Sequence, residues 1–314
     1  MRRRPLGKTG LSVTELSLGT WGLSGDGYGP VTESEQDKVI DRARALGVNL
    51  FETADGYAGG AMERRLGERL KGADDIRIVT KIGTDRETSV PRKRFDAKYL
   101  EAAFDACRQR LGRDVLDVVL LHNPSKVALD GNEACETLAQ LAAGGKLRAW
   151  GVSAGNAAVA RAAIEKGAQV ISLALNVFAA DDLASLSSDI DQKEVGLLAH
   201  SVLAYGLLCG HWSGDKAFAD NDHRAERWTS DELRRRIRQL DALRPAVGGE
   251  VLSMRAAALR WVLHHRTVSS AVLGPRSCLQ LDQLVREAGK GPPYLEDWAL
   301  VALRNRLHEV GVDA

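Results

Sequence analysis

Four side chains suited to proton transfer at a carbonyl stand at the ends of apolar runs or just beyond them. Glu52 and Tyr57 lie in Leu50-Phe51-Glu52-Thr53-Ala54-Asp55-Gly56-Tyr57, Lys81 follows Val79-Thr80, and His122 follows Leu120-Leu121. A hydride delivered to a carbonyl carbon leaves an alkoxide, whose charge calls for a proton donor and hydrogen bonds already in place. Tyrosine, with an ordinary pKa of about 10, is a poor acid at neutral pH unless a cation stabilises its phenolate. Lys81 is such a cation, a carboxylate beside it would hold it in position, and a histidine can donate a hydrogen bond to the carbonyl oxygen. Taken singly, Tyr57 reads as a rim aromatic, Lys81 as a solvated strand end and His122 as a satisfied core histidine. Their occurrence at successive strand ends is what selects the chemistry.

These side chains converge only if the strands that carry them are parallel neighbours. Eight short apolar runs meet that demand: 16–18, 48–51, 76–80, 115–121, 149–152, 170–175, 197–203 and 269–273. Between them, segments such as 35–46 and 99–111 carry apolar residues at helical spacing, and Gly144-Gly145 stops the helix containing Leu138 and Leu141. Alternating strands and helices imply parallel strands with crossover helices. Eight such units predict an α/β fold, a (β/α)8 TIM barrel, as a single domain over residues 1–314.

Two extended runs around Gly7-Lys8-Thr9-Gly10 predict an N-terminal β-hairpin that caps the bottom of the barrel. The interval from about Leu198 to about Ala271 is much longer than the others, so a long insertion follows strand seven. It holds Gly210-His211-Trp212-Ser213-Gly214-Asp215, the polar stretch 220–227 and a charged helix over 232–243. A loop there lies on the C-terminal face, where barrel active sites are built, and suits a substrate lid. The basic run Arg234-Arg235-Arg236-Ile237-Arg238 shares helical spacing with Leu233, Ile237 and Leu240 and reads as a solvated amphipathic face.

Across the 314 residues, 43 Lys and Arg balance 42 Asp and Glu, which argues against a nucleic-acid partner bound by a dominant basic face. No P-loop, GxSxG or HExxH motif is present. The four cysteines are scattered without a CxxC pair, so neither a disulfide framework nor a metal site is expected, and free thiols in a reducing, cytoplasmic setting are. The basic start is not followed by the apolar stretch of a signal peptide, and no run approaches the roughly 18 apolar residues that span a bilayer. No membrane partner is expected, and oligomeric state is not encoded legibly.

Several segments together bear a wider likeness. They are Leu6-Gly7-Lys8-Thr9-Gly10-Leu11-Ser12-Val13, Leu18-Gly19-Thr20-Trp21-Gly22, Glu52-Thr53-Ala54-Asp55-Gly56-Tyr57, Glu63 with Leu66-Gly67, Thr80-Lys81, Leu121-His122, Gly151-Val152-Ser153 and Leu273-Gly274-Pro275-Arg276-Ser277. Through them the chain resembles the aldo-keto reductase superfamily over nearly its whole length. The resemblance implies a (β/α)8 barrel with a nicotinamide cofactor, usually NADPH, and no metal. It implies hydride transfer between that cofactor and a small-molecule carbonyl or alcohol such as an aldehyde, ketone or sugar.

Residue by residue, the resemblance makes Tyr57 the proton donor and Lys81 and His122 its companions. Glu52 stands where the family has an aspartate five residues before the tyrosine, with Asp55 as a backup carboxylate. Cofactor contacts fall on Gly19, Thr20 and Trp21, then on Ser153, Ser172, His200, Ser201 and Leu203, and finally on Gly274, Arg276, Ser277 and Gln280. The planar fork of Arg276 suits a 2′-phosphate. Ala154, Ser172, His200 and Leu284 replace the family's usual asparagine, glutamine, stacking aromatic and asparagine. The altered Glu52, Ala154 and Ser172 leave two alternatives open: a redox-neutral epimerase or lyase on the same barrel, and a non-enzymatic cofactor-sensing subunit. Trp21, Tyr57, His122 and Trp212 suggest a partly aromatic pocket.

Overall fold

A computed structural model describes residues 1–86 and 90–312. Eight parallel strands close in chain order: β1 (Leu16–Gly19), β2 (Leu50–Glu52), β3 (Arg77–Ile82), β4 (Leu116–His122), β5 (Leu147–Ser153), β6 (Val170–Ala174), β7 (Gly196–His200) and β8 (Val268–Leu273). The ring shuts where β8 pairs with β1 through Ala271↔Leu16, Val272↔Ser17 and Leu273↔Leu18. Helices α1 (Glu33–Ala45), α2 (Ala61–Arg69), α3 (Ala97–Leu111), α4 (Glu133–Ala143), α5 (Ala157–Glu165), α6 (Asp181–Lys193), α7 (Met254–His264) and α8 (Cys278–Ala288) form the outer layer. The architecture is the (β/α)8 barrel.

Helix α3 shows how local sequence sets these elements. Asp96 caps its start by accepting from the Tyr99 N–H, and Gly112 ends it in the left-handed region at φ 61. Leu100, Phe104, Cys107 and Leu111 recur at four- and three-residue spacing and are the face buried in the core.

The strands place the chemistry by parity. Leu50, Val79, Val118, Leu120, Ala149, Val170, Leu198 and Val272 form the inner core of the barrel. Alternate side chains of a strand share a face. Two residues beyond Leu50, Val79, Leu120, Val170 and Leu198 stand Glu52, Lys81, His122, Ser172 and His200, and four beyond Ala149 stands Ser153. The alternation that fills the barrel therefore also aims its last polar residues into the C-terminal mouth. At the other end, Leu6, Leu11 and Val13 join the same inner core. They belong to the hairpin Arg3–Pro5/Ser12–Thr14, which closes the bottom. Gly7 makes that closure possible: it has φ +54, and a Cβ there would come within 2.3 Å of the Glu194 carbonyl oxygen.

Two boundaries differ from expectation. Strand β7 stops at His200 and does not run on to Leu203, because Ser201 enters the left-handed region at φ 55, followed by Ala204 and Tyr205 at φ 45 and 60. The charged helix runs Ser230–Gln239, started by a Thr229/Glu232 capping box, and then tightens into a 3-10 turn over Leu240–Ala246 that contains Pro245. Leu233 and Gln239 are its buried residues, while Arg234 pairs with Asp231 and Arg236 lies over the Phe178 ring.

The insertion crosses the mouth to the loop after β1. There the His223 N–H donates to the Gly27 carbonyl over 2.9 Å, and Tyr28 and Asp222 form an antiparallel bridge. Trp212 packs on Phe218 and Trp228 within the insertion. A two-stranded ribbon, Thr84–Asp85 against Arg92–Lys93, rises from the end of β3. Among the described residues no helix is long and apolar enough to cross a membrane.

Candidate active site

Register brings the strand ends level. Gly19 is opposite Glu52, Lys81 opposite Leu120, and His122 opposite Ser153, which is itself opposite Ser172. Tyr57 lies on the turn just after β2, where its backbone N–H donates to the Ala54 carbonyl.

Lys81 is the hub. Its Nζ forms a buried ion pair with Glu52 Oε1, donates to Tyr57 Oη over 2.9 Å and reaches the Thr53 carbonyl at 3.4 Å. Three donors thus meet three acceptors, which is the full capacity of an ammonium group. The longer glutamate is accommodated, and its carboxylate sits where a partner for Lys81 is needed. Burial and then the charge of Lys93 pull Lys81 well below the ordinary lysine value. The touching Glu52 carboxylate opposes that pull. Burial, then the charge of Asp55, push the Tyr57 phenol above its ordinary value, so it is protonated at neutral pH.

His122 stands edge-on to Tyr57, with ring centroids 6.0 Å apart and planes at 85°. Its Nδ1 lies 3.5 Å from Thr84 Oγ1. Burial first, and then the charge of Lys81, hold it well below the ordinary histidine value. Burial and the same lysine bring His200 down to about 4. Both rings are neutral at pH 7, and a neutral imidazole can donate one hydrogen bond without adding charge.

Asp55 does not touch Lys81 through its carboxylate. Its Oδ2 accepts from the Gly83 and Thr84 N–H groups at 3.2 and 3.5 Å, while Oδ1 is buried without a partner. Burial, then the charge of Glu63, raise it to about 6.

The remaining expected positions divide into three groups. Toward the barrel axis are Gly19, Ser153, Ser172 and His200, and Thr20 follows Gly19 as the residue before the short helix Trp21–Ser24. Thr20 Oγ1 and Ser172 Oγ are buried with no hydrogen-bond partner, and His200 Nδ1 lies 3.0 Å from Ser201 Oγ. Trp21 packs on Tyr28 and His223, and Leu203 packs against the main core. After β8, Ser277 caps α8 by accepting from the Gln280 N–H, and Gln280 Oε1 accepts from the Arg276 N–H over 2.8 Å. Gly274 leaves open space above it.

Arg276 does more than face outward. Its Nε donates to the Gly22 carbonyl over 3.2 Å, and one Nη donates to the carbonyls of Gly29 and Pro30 over 2.9 and 3.1 Å. It thereby ties the end of β8 to the loop after β1, and its second Nη makes no hydrogen bond among the described residues.

One residue escaped sequence reasoning. Asn123 follows His122 at φ 50, and its Oδ1 accepts from Ser153 Oγ over 3.2 Å. Its position beside His122 was the available signal, but only the left-handed turn directs its amide toward β5.

A phenol held against a buried ammonium at the mouth of a (β/α)8 barrel is an arrangement suited to proton transfer. Comparison with known proteins identifies the particular class. The family model described as Aldo/keto reductase family matches residues 15–290, and the chain belongs to that family. It is 26% identical to a pyridoxal 4-dehydrogenase of Microbacterium luteolum, covering 90% of this chain and 92% of that protein. It is also 26% identical to an L-galactose dehydrogenase of Arabidopsis thaliana, covering 90% and 86%. A glycerol dehydrogenase of Gluconobacter oxydans superposes with a TM-score of 0.86 at 23% identity, covering 99% and 97%. The holo form of an aldo-keto reductase from Bacillus halodurans superposes with a TM-score of 0.81 at 22% identity, covering 100% and 97%.

Proposed function

We propose that the protein is an NADP-dependent reductase of small carbonyl compounds, and a dehydrogenase of the matching alcohols, with Tyr57 as the proton donor. The observation that carries this reading is the 2.9 Å hydrogen bond from Lys81 Nζ to Tyr57 Oη, with Glu52 paired to the same ammonium. A nicotinamide coenzyme, when bound, supplies the hydride or accepts it.

The residues present fit such a coenzyme. Thr20 Oγ1 and Ser172 Oγ are orphaned polar atoms that a ligand would satisfy. Ser153 and Asn123 offer a hydroxyl and an amide side by side for a carboxamide. Arg276 keeps an unbonded Nη at the start of α8, a favourable place for a phosphate.

In reduction, neutral His122 donates a hydrogen bond to the carbonyl oxygen and orients it. Tyr57 then passes its proton to that oxygen. The phenolate left behind is stabilised by Lys81, and Glu52 keeps the ammonium charged and in place. In the reverse direction Tyr57 takes the alcohol proton back. Because Glu52 is engaged by Lys81, it is not a free base for redox-neutral chemistry. The names of the relatives, a pyridoxal dehydrogenase and a sugar dehydrogenase, favour a small polar substrate. Four free cysteines favour a reducing, cytoplasmic setting.

Titration of NADPH by fluorescence, followed by turnover on aldehydes, ketones and sugars, tests the reading. Tyr57→Phe keeps the ring and removes the hydroxyl. Coenzyme binding should persist while turnover falls by about 10²–10⁴-fold, the usual loss of a general acid. Near-normal reduction by this variant would move the proton donor elsewhere.

A further inference from the structure

The ribbon after β3 carries four basic residues that divide into two pairs. Arg92 and Arg94 lie 3.2 and 3.6 Å from the buried Asp85 carboxylate, and Arg94 also meets Asp96 at 2.7 Å. These two arginines hold the ribbon together. Lys93 and Arg86 form no ion pair among the described residues, and both face the mouth. Lys93 Nζ lies 2.9 Å from Thr84 Oγ1, which is 3.5 Å from His122 Nδ1. Arg86 Nε lies 3.7 Å from where a Cβ on Gly56 would stand, one residue before Tyr57.

Among the described residues the nearby carboxylates offset this pair only in part, through the charge of Asp55 acting on Lys93. Glu52 is matched by Lys81. Asp55 is half-buried beneath the ribbon, with Oδ2 turned to the Gly83 and Thr84 N–H groups. Asp26 belongs to the loop after β1 and is held by the Ala58 N–H at 2.7 Å. The described residues therefore leave an excess of positive charge on the β3 side of the mouth, two cations against the carboxylate of Asp55. The residues suited to a coenzyme phosphate, Arg276 and Ser277, follow β8, beyond β1 and β2 in the ring. The β3 cations thus stand apart from the phosphate end.

We propose that the preferred substrate carries an anionic group, a carboxylate or a phosphate, a few bonds from its carbonyl, and that Lys93 and Arg86 receive it. The inference rests on the carbonyl-reducing reading above and adds the substrate class. Thr84 sets the geometry: its hydroxyl bridges the Lys93 ammonium and the His122 ring, so the ammonium lies within about two hydrogen-bond lengths, and an anion on it within about three, of the histidine that orients the carbonyl. In the reaction the carbonyl carbon gains a hydride from NADPH and the carbonyl oxygen gains the Tyr57 proton. The anionic group is unchanged and serves as an anchor. Such an anchor both orients the carbonyl and steers the substrate into the mouth.

The test compares matched pairs by kcat/KM with NADPH: 4-oxobutanoate against butanal for a carboxylate, and glyceraldehyde 3-phosphate against glyceraldehyde for a phosphate. At least one charged member should exceed its neutral partner by about tenfold or more, mainly through KM, and the advantage should shrink at high salt. The pair with the larger ratio identifies which anion the site takes. Lys93→Gln and Arg86→Gln should each reduce that ratio several-fold, and the double variant should bring it near one. A wild-type ratio near one for both pairs, with neutral aldehydes turned over, overturns the inference and leaves the reductase reading standing. So does a ratio that the double variant leaves unchanged. No turnover of any member by NADPH-bound protein overturns the reductase reading, and this inference with it.

Discussion

The Glu52 carboxylate and the Lys81 ammonium form an ion pair between the ends of β2 and β3, with both side chains almost wholly buried. Removing one member of such a pair strands the other charge in a poorly solvated site, at a typical cost of about 3–5 kcal/mol. Glu52→Gln should therefore lower both the melting temperature and kcat, because an unpaired Lys81 loses its proton more readily and no longer steadies the Tyr57 phenolate. Glu52→Asp keeps the charge and should retain turnover. Calorimetry with steady-state kinetics on both variants checks this. Unchanged kcat in Glu52→Gln would show that the carboxylate does not support the lysine.

Asp55 gives a prediction in pH. Its folded pKa is about 6, raised by burial and then by the charge of Glu63 from the model-compound value of 3.8. The folded chain holds this proton more tightly than the unfolded chain. The resulting stabilisation is full below about pH 4 and is lost as pH rises through about 6. Asp55→Asn keeps an acceptor for the Gly83 N–H and cannot ionise. It should remove that part of the pH slope and raise stability at pH 7 by up to about 3 kcal/mol, the equivalent of two pK units. Urea unfolding at pH 4, 5, 6 and 7 measures the difference between the two proteins. A difference that does not vary with pH would mean that Asp55 does not titrate in this window.

Much of the arrangement was legible because barrel geometry turns parity into position. Leu50 and Val79 announce the inner face of β2 and β3, so Glu52 and Lys81, two residues on, had to face the mouth. The hairpin was readable from its turn residues, with Leu6 and Val13 supplying the plug. Loop conformation was not readable. Nothing in the composition of residues 84–94 signals a ribbon held by Asp85 with Arg92 and Arg94. Nor does the sequence show that Arg276 clasps carbonyls more than 240 positions away, since that contact depends on where the loop after β1 comes to rest.

Arg276 consequently has two tasks to separate. As a phosphate ligand it should matter for NADPH and hardly for NADH. As a clasp on Gly22, Gly29 and Pro30 it should matter for the loop whatever coenzyme is bound. Arg276→Ala should weaken NADPH by several-fold to a few hundred-fold, on the order of 1–3 kcal/mol for charge-assisted contacts. It should also speed amide exchange across residues 22–30 in the free protein. Equal losses for both coenzymes, with exchange accelerated, would assign Arg276 to the loop alone.

Asn123 supplies the complementary measurement, because the proposed reading puts it at the nicotinamide end, which NADPH and NADH share. Ala154 offers no amide after β5, whereas Asn123 brings one from the end of β4: its N–H donates to the Ser153 carbonyl over 3.0 Å and its Oδ1 accepts from Ser153 Oγ over 3.2 Å. The Nδ2 group then remains to donate to a carboxamide oxygen. Loss of one neutral hydrogen bond costs about 1 kcal/mol, roughly five- to tenfold in affinity. Asn123→Ala should therefore weaken NADPH and NADH by the same factor, unlike Arg276→Ala. Alanine at φ 50 also strains the backbone, while glycine does not. Asn123→Gly should match the alanine variant in coenzyme affinity but exceed it in thermal stability, which separates the missing amide from the strained turn. Full coenzyme affinity in the glycine variant would mean that the carboxamide finds its partners elsewhere, with Ser172 the nearest orphaned hydroxyl on the adjoining strand.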